Sequence, residues 1–308
     1  MSLTQHLDAI TALSDEYRTE TPPAPKSVKI ELTSRCNFKC SFCARNIRKQ
    51  PPADMDWKLY TRLVLEMREI GVQELGLFYL GESFLSEDLP QAIWFAKHRA
   101  KFPYVFLTTN GSVSTPDRVQ LCMGNGLDSL KFSLNWADKE QFTEVTGVKP
   151  SMFDHVAHNI KAARQIRDDY GFPTKLYGSY IQYDGEQAER MKARVDELAP
   201  YLDEVYALPL YNQGASVENP DWTFSQGNRG RIGALRDPLP CWSIFTEGHI
   251  AHDGRMSACC FDHDGRFTMG DLTEQSFMEA WHSEKFQALR RAHLARDVTG
   301  TVCEKCVA

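Results

Sequence analysis

The feature that most constrains this chain is an alternation of strand-like and helix-like segments, repeated from residue 27 to residue 211. Candidate strands start near Val28, Gln73, Tyr104, Ser129, Thr174 and Glu204, and each except the last is followed by a helical pattern. Residues 57–70 place Leu59, Leu63, Met67 and Ile70 on one face, and Gly71 ends that helix. Ser151 with Asp154 has the form of a capping box, opening a long helix that stops at Gly171. Thr115-Pro116 reads as an N-cap followed by a first-turn proline. Repeated βα units argue for a parallel sheet or barrel, and six are too few to close an eight-stranded one. The expected fold class is therefore α/β, a partial (β/α)6 TIM-like barrel.

Composition sets the flanking pieces and removes several classes of function. Residues 1–26 read as an N-terminal helix and a Pro-rich linker, "TPPAPK", and residues 27–211 as the barrel. Residues 212–308 begin with a Gly-, Asn- and Ser-rich linker and continue as a small β-hairpin-plus-helix domain. Its hairpin turns at Asp253-Gly254, and Ser276 with Glu279 caps a helix through "MEAW". The 308 residues carry a formal charge of −6 with no long run of like charges, so neither nucleic acid nor an acidic membrane is an expected partner. No apolar stretch approaches the roughly 20 residues of a membrane span. The N-terminus lacks the apolar core of a signal peptide, so the expected location is the cytoplasm.

Nine cysteines are many for a reducing compartment, where clustered thiols read first as metal ligands. "CNFKCSFC" places Cys36, Cys40 and Cys43 in a C-x3-C-x2-C run just after the first strand. A structural zinc site wants four ligands and a redox dithiol wants two. Three thiolates can hold a cubic iron–sulfur cluster with one iron left open for a small molecule. A second group comprises Cys241, Cys259, Cys260, Cys303 and Cys306, while Cys122, spaced helically with Val119 and Met123, reads as core.

The run resembles the signature of radical S-adenosylmethionine (SAM) enzymes, with Phe42 as its aromatic residue. Later strand ends resemble the same family: "LGESF" at 80–84, "TTNG" at 108–111 and "SLN" at 133–135. Leu80 stands where the family has a glycine. The resemblance implies that Gly81, Glu82, Asn110, Ser133 and Asn135 contact SAM, with Glu82 on its amine. From Cys241 on, the Asp-Gly turn, the Cys-Cys pair, "GDL" and the helix ending in Trp281 resemble the SPASM/twitch extension. That implies an auxiliary [4Fe–4S] cluster on Cys241, Cys259, Cys303 and Cys306, with Cys260 as the alternative to Cys259. A zinc ribbon is the competing reading of these thiols alone.

The resemblance, which is to the single-cluster aminocyclitol dehydrogenase type, implies two [4Fe–4S] clusters, SAM and an electron donor such as flavodoxin or ferredoxin. It also implies a radical oxidoreductase acting on a sugar- or aminocyclitol-like small molecule. A peptide-modifying maturase and a redox-neutral epimerase are the alternatives. The short segment before the first strand leaves little room for a peptide-binding domain. Tyr180, Gln182, Tyr206 and Tyr211 are further candidates for the cavity wall, and alternation lets only about half face inward.

Overall fold

In the computed structural model, which describes residues 2–183, 185–219 and 221–307, six strands form where the alternation placed them. They are β1 (Ser27–Ile30), β2 (Glu74–Gly76), β3 (Tyr104–Thr109), β4 (Ser129–Ser133), β5 (Lys175–Ile181) and β6 (Glu204–Leu208), paired parallel in chain order. Helix α1 (Leu3–Thr11) precedes them. The crossovers hold α2 (Trp57–Glu69), α3 (Leu89–Trp94), α4 (Pro116–Gly124), α5 (Lys139–Thr146), α6 (Ser151–Tyr170) and α7 (Glu186–Leu198).

Local chemistry explains most boundaries. Asp56 caps α2 by accepting from the Leu59 amide at 2.9 Å, and Gly71 takes φ +98°, a left-handed conformation that a side chain would strain. The long helix α6 does end at Gly171, in the left-handed region, but Ser151 does not cap it. Pro150 already has helical backbone angles and makes no side-chain cap bond, so the chain enters the helix one residue before the serine. Asp154 pairs instead with Lys139 at 2.7 Å.

Period-two alternation divides each strand between two environments. Val28, Ile30, Val105, Leu107, Leu130 and Phe132 point outward and are buried under the helices with Leu63, Met67, Ile93, Val119 and Ile160. Cys122 is fully buried in this layer, as its spacing predicted. The opposite set, including Lys29, Phe106, Thr108, Lys131, Ser133, Ser179 and Tyr206, faces the barrel interior.

The C-terminal region extends this sheet. After α8 (Ser243–Thr246), β7 (Glu247–Ile250) pairs parallel with β1. A turn at Asp253-Gly254 returns the chain as β8 (Arg255–Ser257), and β9 (Thr268–Asp271) adds antiparallel. The order is β6-β5-β4-β3-β2-β1-β7-β8-β9, an open nine-stranded sheet. Helices α9 (Phe277–Trp281), α10 (Glu284–Leu294) and α11 (Glu304–Val307) complete the module, and Ser276 and Glu279 form the expected capping box.

Helix α1 closes the barrel at the strands' N-terminal ends. Glu204 accepts from the amides of Leu3 (2.7 Å) and Thr4 (3.2 Å). His6 meets Glu74 at 3.1 Å, and Asp8 meets Arg231 at 2.7 Å. Among the described residues no helix is long and apolar enough to cross a membrane.

Candidate active site

The loop after β1 carries Cys36, Cys40 and Cys43, all half-buried, at the strands' C-terminal ends. Arg45 holds the loop by donating to the carbonyls of Cys36 (2.9 Å) and Phe38 (2.8 Å). The amides of Lys39 and Ser41 donate to the carbonyls of Thr146 and Val145 at the end of α5. Phe38 is buried edge-on against Trp136 and Phe142. Burial pushes the Cys36 thiol up to about 11 and raises Cys40 and Cys43, and neighbouring thiols add to the rise at Cys40.

Three thiols in such surroundings ionise at neutral pH only beside added positive charge, which bound iron supplies. Among the described residues no three His, Cys, Asp or Glu groups converge as one shared metal ion requires. Three thiolates are a donor set that a polynuclear cluster can use, with separate irons taking one each.

The loop after β2 lies flat on this one. A Cβ at Gly81 would come within 2.8 Å of the Arg35 carbonyl oxygen and still closer to that of Thr33, so only glycine fits. Glu82 is 3% exposed. Its carboxylate accepts from the Thr109 hydroxyl (2.7 Å) and the amides of Asn110 (2.8 Å) and Phe84 (3.2 Å). Burial raises its pKa against these bonds. Its charge in turn helps to raise Cys36, which sets Glu82 beside the cysteine loop. The Asn110 side chain donates to Asn37 at 3.0 Å and accepts from Ser112.

Phe42, Ser133 and Asn135 line a cavity of about 320 Å³ inside the barrel, whereas Gly81, Glu82 and Asn110 do not. Leu3, Leu7 and Ile10 of α1 form its floor, and Tyr211, Cys260 and Phe261 stand on its wall nearer the C-terminal module. Of the tyrosines and glutamine singled out from sequence, Tyr206 and Tyr211 line the cavity and Tyr180 and Gln182 do not.

The second cysteine group also assembles. Cys241, Cys259, Cys303 and Cys306 are buried, and Cys260 is half-buried on the cavity wall. The Phe261 amide donates to Cys259 Sγ at 3.4 Å, and the Asn228 side-chain amide to Cys260 Sγ at 3.6 Å. Burial pushes Cys241 up to about 12 and Cys306 up to about 11, and it raises Cys303. Cys259 donates a hydrogen bond to Cys260; that bond and burial raise Cys259. The same bond, assisted by Lys29 and opposed by burial, makes Cys260 the easier thiol to ionise.

The histidines of this region are internal partners. His249 meets Glu247 at 3.0 Å, His252 meets Glu31 at 3.2 Å, and His263 meets Gln213 at 3.3 Å. Sequence reasoning missed Lys29, Lys131 and Glu247 on the cavity wall. The available signal was a lysine between two apolar residues in a buried strand, Val28-Lys29-Ile30 and Leu130-Lys131-Phe132.

Comparison with known proteins bears on this architecture. The radical SAM superfamily model matches residues 30–194, more than half of the chain. The chain belongs to the radical SAM superfamily. The SPASM model, an iron–sulfur cluster-binding domain, matches residues 241–307. Together the two domains imply SAM and two [4Fe–4S] clusters.

Among curated relatives, the GTP 3',8-cyclase of Chlorobaculum tepidum is 29% identical over 277 residues, 77% of this chain and 79% of that one. A probable GTP 3',8-cyclase of Methanocella arvoryzae is 30% identical over 63% of this chain, which spans 57% of its length. The PqqA peptide cyclase of Streptomyces rochei is 29% identical over 46% of this chain, a match that spans 37% of that relative.

Among solved structures, BtrN in complex with AdoMet and 2-DOIA superposes with a TM-score of 0.57 at 18% identity, over 87% of this chain and 86% of that one. Streptococcus suis SuiB bound to its precursor peptide SuiA gives 0.68 at 14% identity, over 87% and 67%. At these identities the superpositions show the fold.

Proposed function

We propose that this radical SAM enzyme oxidises a small polar molecule held inside the barrel. The cavity carries the proposal. It is enclosed below by α1, passes Phe42 of the SAM-cluster motif and reaches Cys260 beside the second cysteine group. Its volume of about 320 Å³ lies at the small end of ligand sites and suits a sugar- or aminocyclitol-sized molecule.

In this reading Cys36, Cys40 and Cys43 hold the SAM cluster, and Cys241, Cys259, Cys303 and Cys306 hold the auxiliary one. The bound groups supply a 5′-deoxyadenosyl radical for hydrogen abstraction and an acceptor for the substrate's second electron. The chain's part is to orient and to exclude water. Phe42, Ser133 and Asn135 position SAM at the cavity, while Gly81, Glu82 and Asn110 brace the cysteine loop from beside it. The floor on α1 keeps the substrate within the barrel.

The likeness to GTP 3',8-cyclases over 77% of this chain favours one other reading, a redox-neutral cyclisation of a nucleotide. The peptide cyclases match less of the chain, and a cavity of about 320 Å³ suits a small molecule better than a peptide.

Product stoichiometry separates the readings. Holoenzyme supplied with SAM, reductant and a panel of sugars, aminocyclitols and nucleotides should form one product, two hydrogens lighter than its substrate, per 5′-deoxyadenosine. Replacing Cys303 and Cys306 together with Ala should preserve SAM cleavage at a reduced rate and abolish that product. A product isoelectronic with its substrate overturns the oxidative reading.

A further inference from the structure

We infer that the barrel cavity anchors an anionic group of the substrate, a carboxylate or a phosphate, on Lys131 together with Thr108 and Tyr206. The inference rests on the cavity being the substrate's place. It adds the chemical class that the enclosed volume alone does not specify.

Three cationic or protonatable side chains besides Lys131 line the cavity wall, and each of them is matched. Lys29 meets Glu247 at 2.7 Å, Arg231 meets Asp8 at 2.7 Å, and His6 meets Glu74 at 3.1 Å. Asn228, a neutral amide on the same wall, donates to Cys260. Lys131 differs. Its Nζ donates to the Tyr206 hydroxyl at 3.0 Å and lies 5.6 Å from that ring's centre, and among the described residues it has no carboxylate partner. An ammonium has three N–H donors, so two remain for a ligand.

Thr108 supplies the second, independent observation. It stands directly opposite Lys131 in the β3–β4 register and lines the same cavity. Its hydroxyl is buried without a hydrogen-bond partner. A buried hydroxyl left unpaired costs free energy, and a ligand oxygen beside it removes that cost. Lys131, Thr108 and Tyr206 thus present an ammonium and two hydroxyls from three strands, a donor set suited to an oxyanion.

The floor below them, Leu3, Leu7 and Ile10, is apolar and offers no competing place for charge. Water solvates Lys131 while the cavity is open. When a substrate displaces that water, a neutral molecule leaves the ammonium poorly compensated, whereas an anion restores the balance.

The test measures binding without turnover. The anaerobic holoenzyme, saturated with SAM so that the methionine carboxylate site is filled, is titrated with D-glucose, D-glucuronate and D-glucose 6-phosphate. At least one anion should bind about tenfold more tightly than glucose, the scale of a charge-assisted hydrogen bond. Preference for glucuronate assigns a carboxylate, and preference for the phosphate ester assigns a phosphate. Lys131→Met should erase the preference and Lys131→Arg should keep it, both with wild-type iron content. Thr108→Val should weaken the favoured anion severalfold.

Equal binding of glucose and both anions by the wild type overturns the inference, as does an undiminished preference in Lys131→Met. If Lys131→Met does not fold, unchanged anion affinity in Thr108→Val is the overturning result. A redox-neutral product would remove the oxidative reading and leave this anchor standing, while lost anion selectivity would do the reverse.

Discussion

Glu82 sits on the loop after β2 with its carboxylate turned into the protein, accepting from Thr109, Asn110 and Phe84. The motif in which it lies implies a contact with the SAM amine, and the fold adds a bracing duty that the motif does not spell. Glu82→Ala would leave the Asn110 amide and Thr109 hydroxyl without their acceptor. The expected cost is about 1–3 kcal/mol per orphaned group, read as a lower urea midpoint. SAM affinity should fall with it while iron content stays near wild type, because Glu82 braces the loops without ligating iron. A variant with wild-type midpoint and wild-type SAM affinity would remove Glu82 from both roles.

At the scale of elements, α1 is held onto the barrel by its own first turn. Glu204, at the start of β6, accepts from two amides there and from the Thr4 hydroxyl at 2.5 Å. A carboxylate at a helix N-terminus satisfies orphan donors and opposes the helix dipole. Glu204→Ala should destabilise the protein by about 1–2 kcal/mol. It should also speed amide exchange across Leu3–Thr11 while leaving β3 and β4 protected. Hydrogen-exchange mass spectrometry reads this directly, and unchanged protection of α1 would show that its apolar face alone secures the cavity floor.

Over the whole molecule, two buried carboxylates lie along the seam where β1 meets β7. Burial alone would raise Glu31, but hydrogen bonds from Arg48 and His252 outweigh it and bring its pKa to about 2. Glu247, opposed in the same way by burial, is brought to about 2 by Lys29 and His249. Both folded values lie below the unfolded carboxylate's value of about 4.3, so each contributes stability that is fully present above that pH. The contribution, on the order of 3 kcal/mol for a shift of this size, is lost as pH falls toward about 2. Between about pH 6 and pH 3.5 the urea midpoint should therefore fall more steeply for wild type than for Glu31→Gln. Parallel profiles would place the acid sensitivity elsewhere.

Local pattern carried much of this protein. Alternation located all six barrel strands, Gly71, Gly171 and Gly254 marked turns that need left-handed backbone, and cysteine spacing separated two groups of thiols. These features depend on neighbours a few residues away, so a linear reading recovers them. Ser151 failed for a local reason of its own, since Pro150 had already begun the helix.

What the chain's order does not contain is which inward-facing residues meet. Periodicity assigns Lys131 and Tyr206 to the interior, but a sequence separation of 75 hides their pairing until the barrel curves. Glu31 and His252, 221 residues apart, meet because β7 pairs with β1 and carries the C-terminal module onto the barrel sheet. Period two tells a strand which face to bury. Sheet order and closure, which sum weak contacts over the whole molecule, decide what stands opposite.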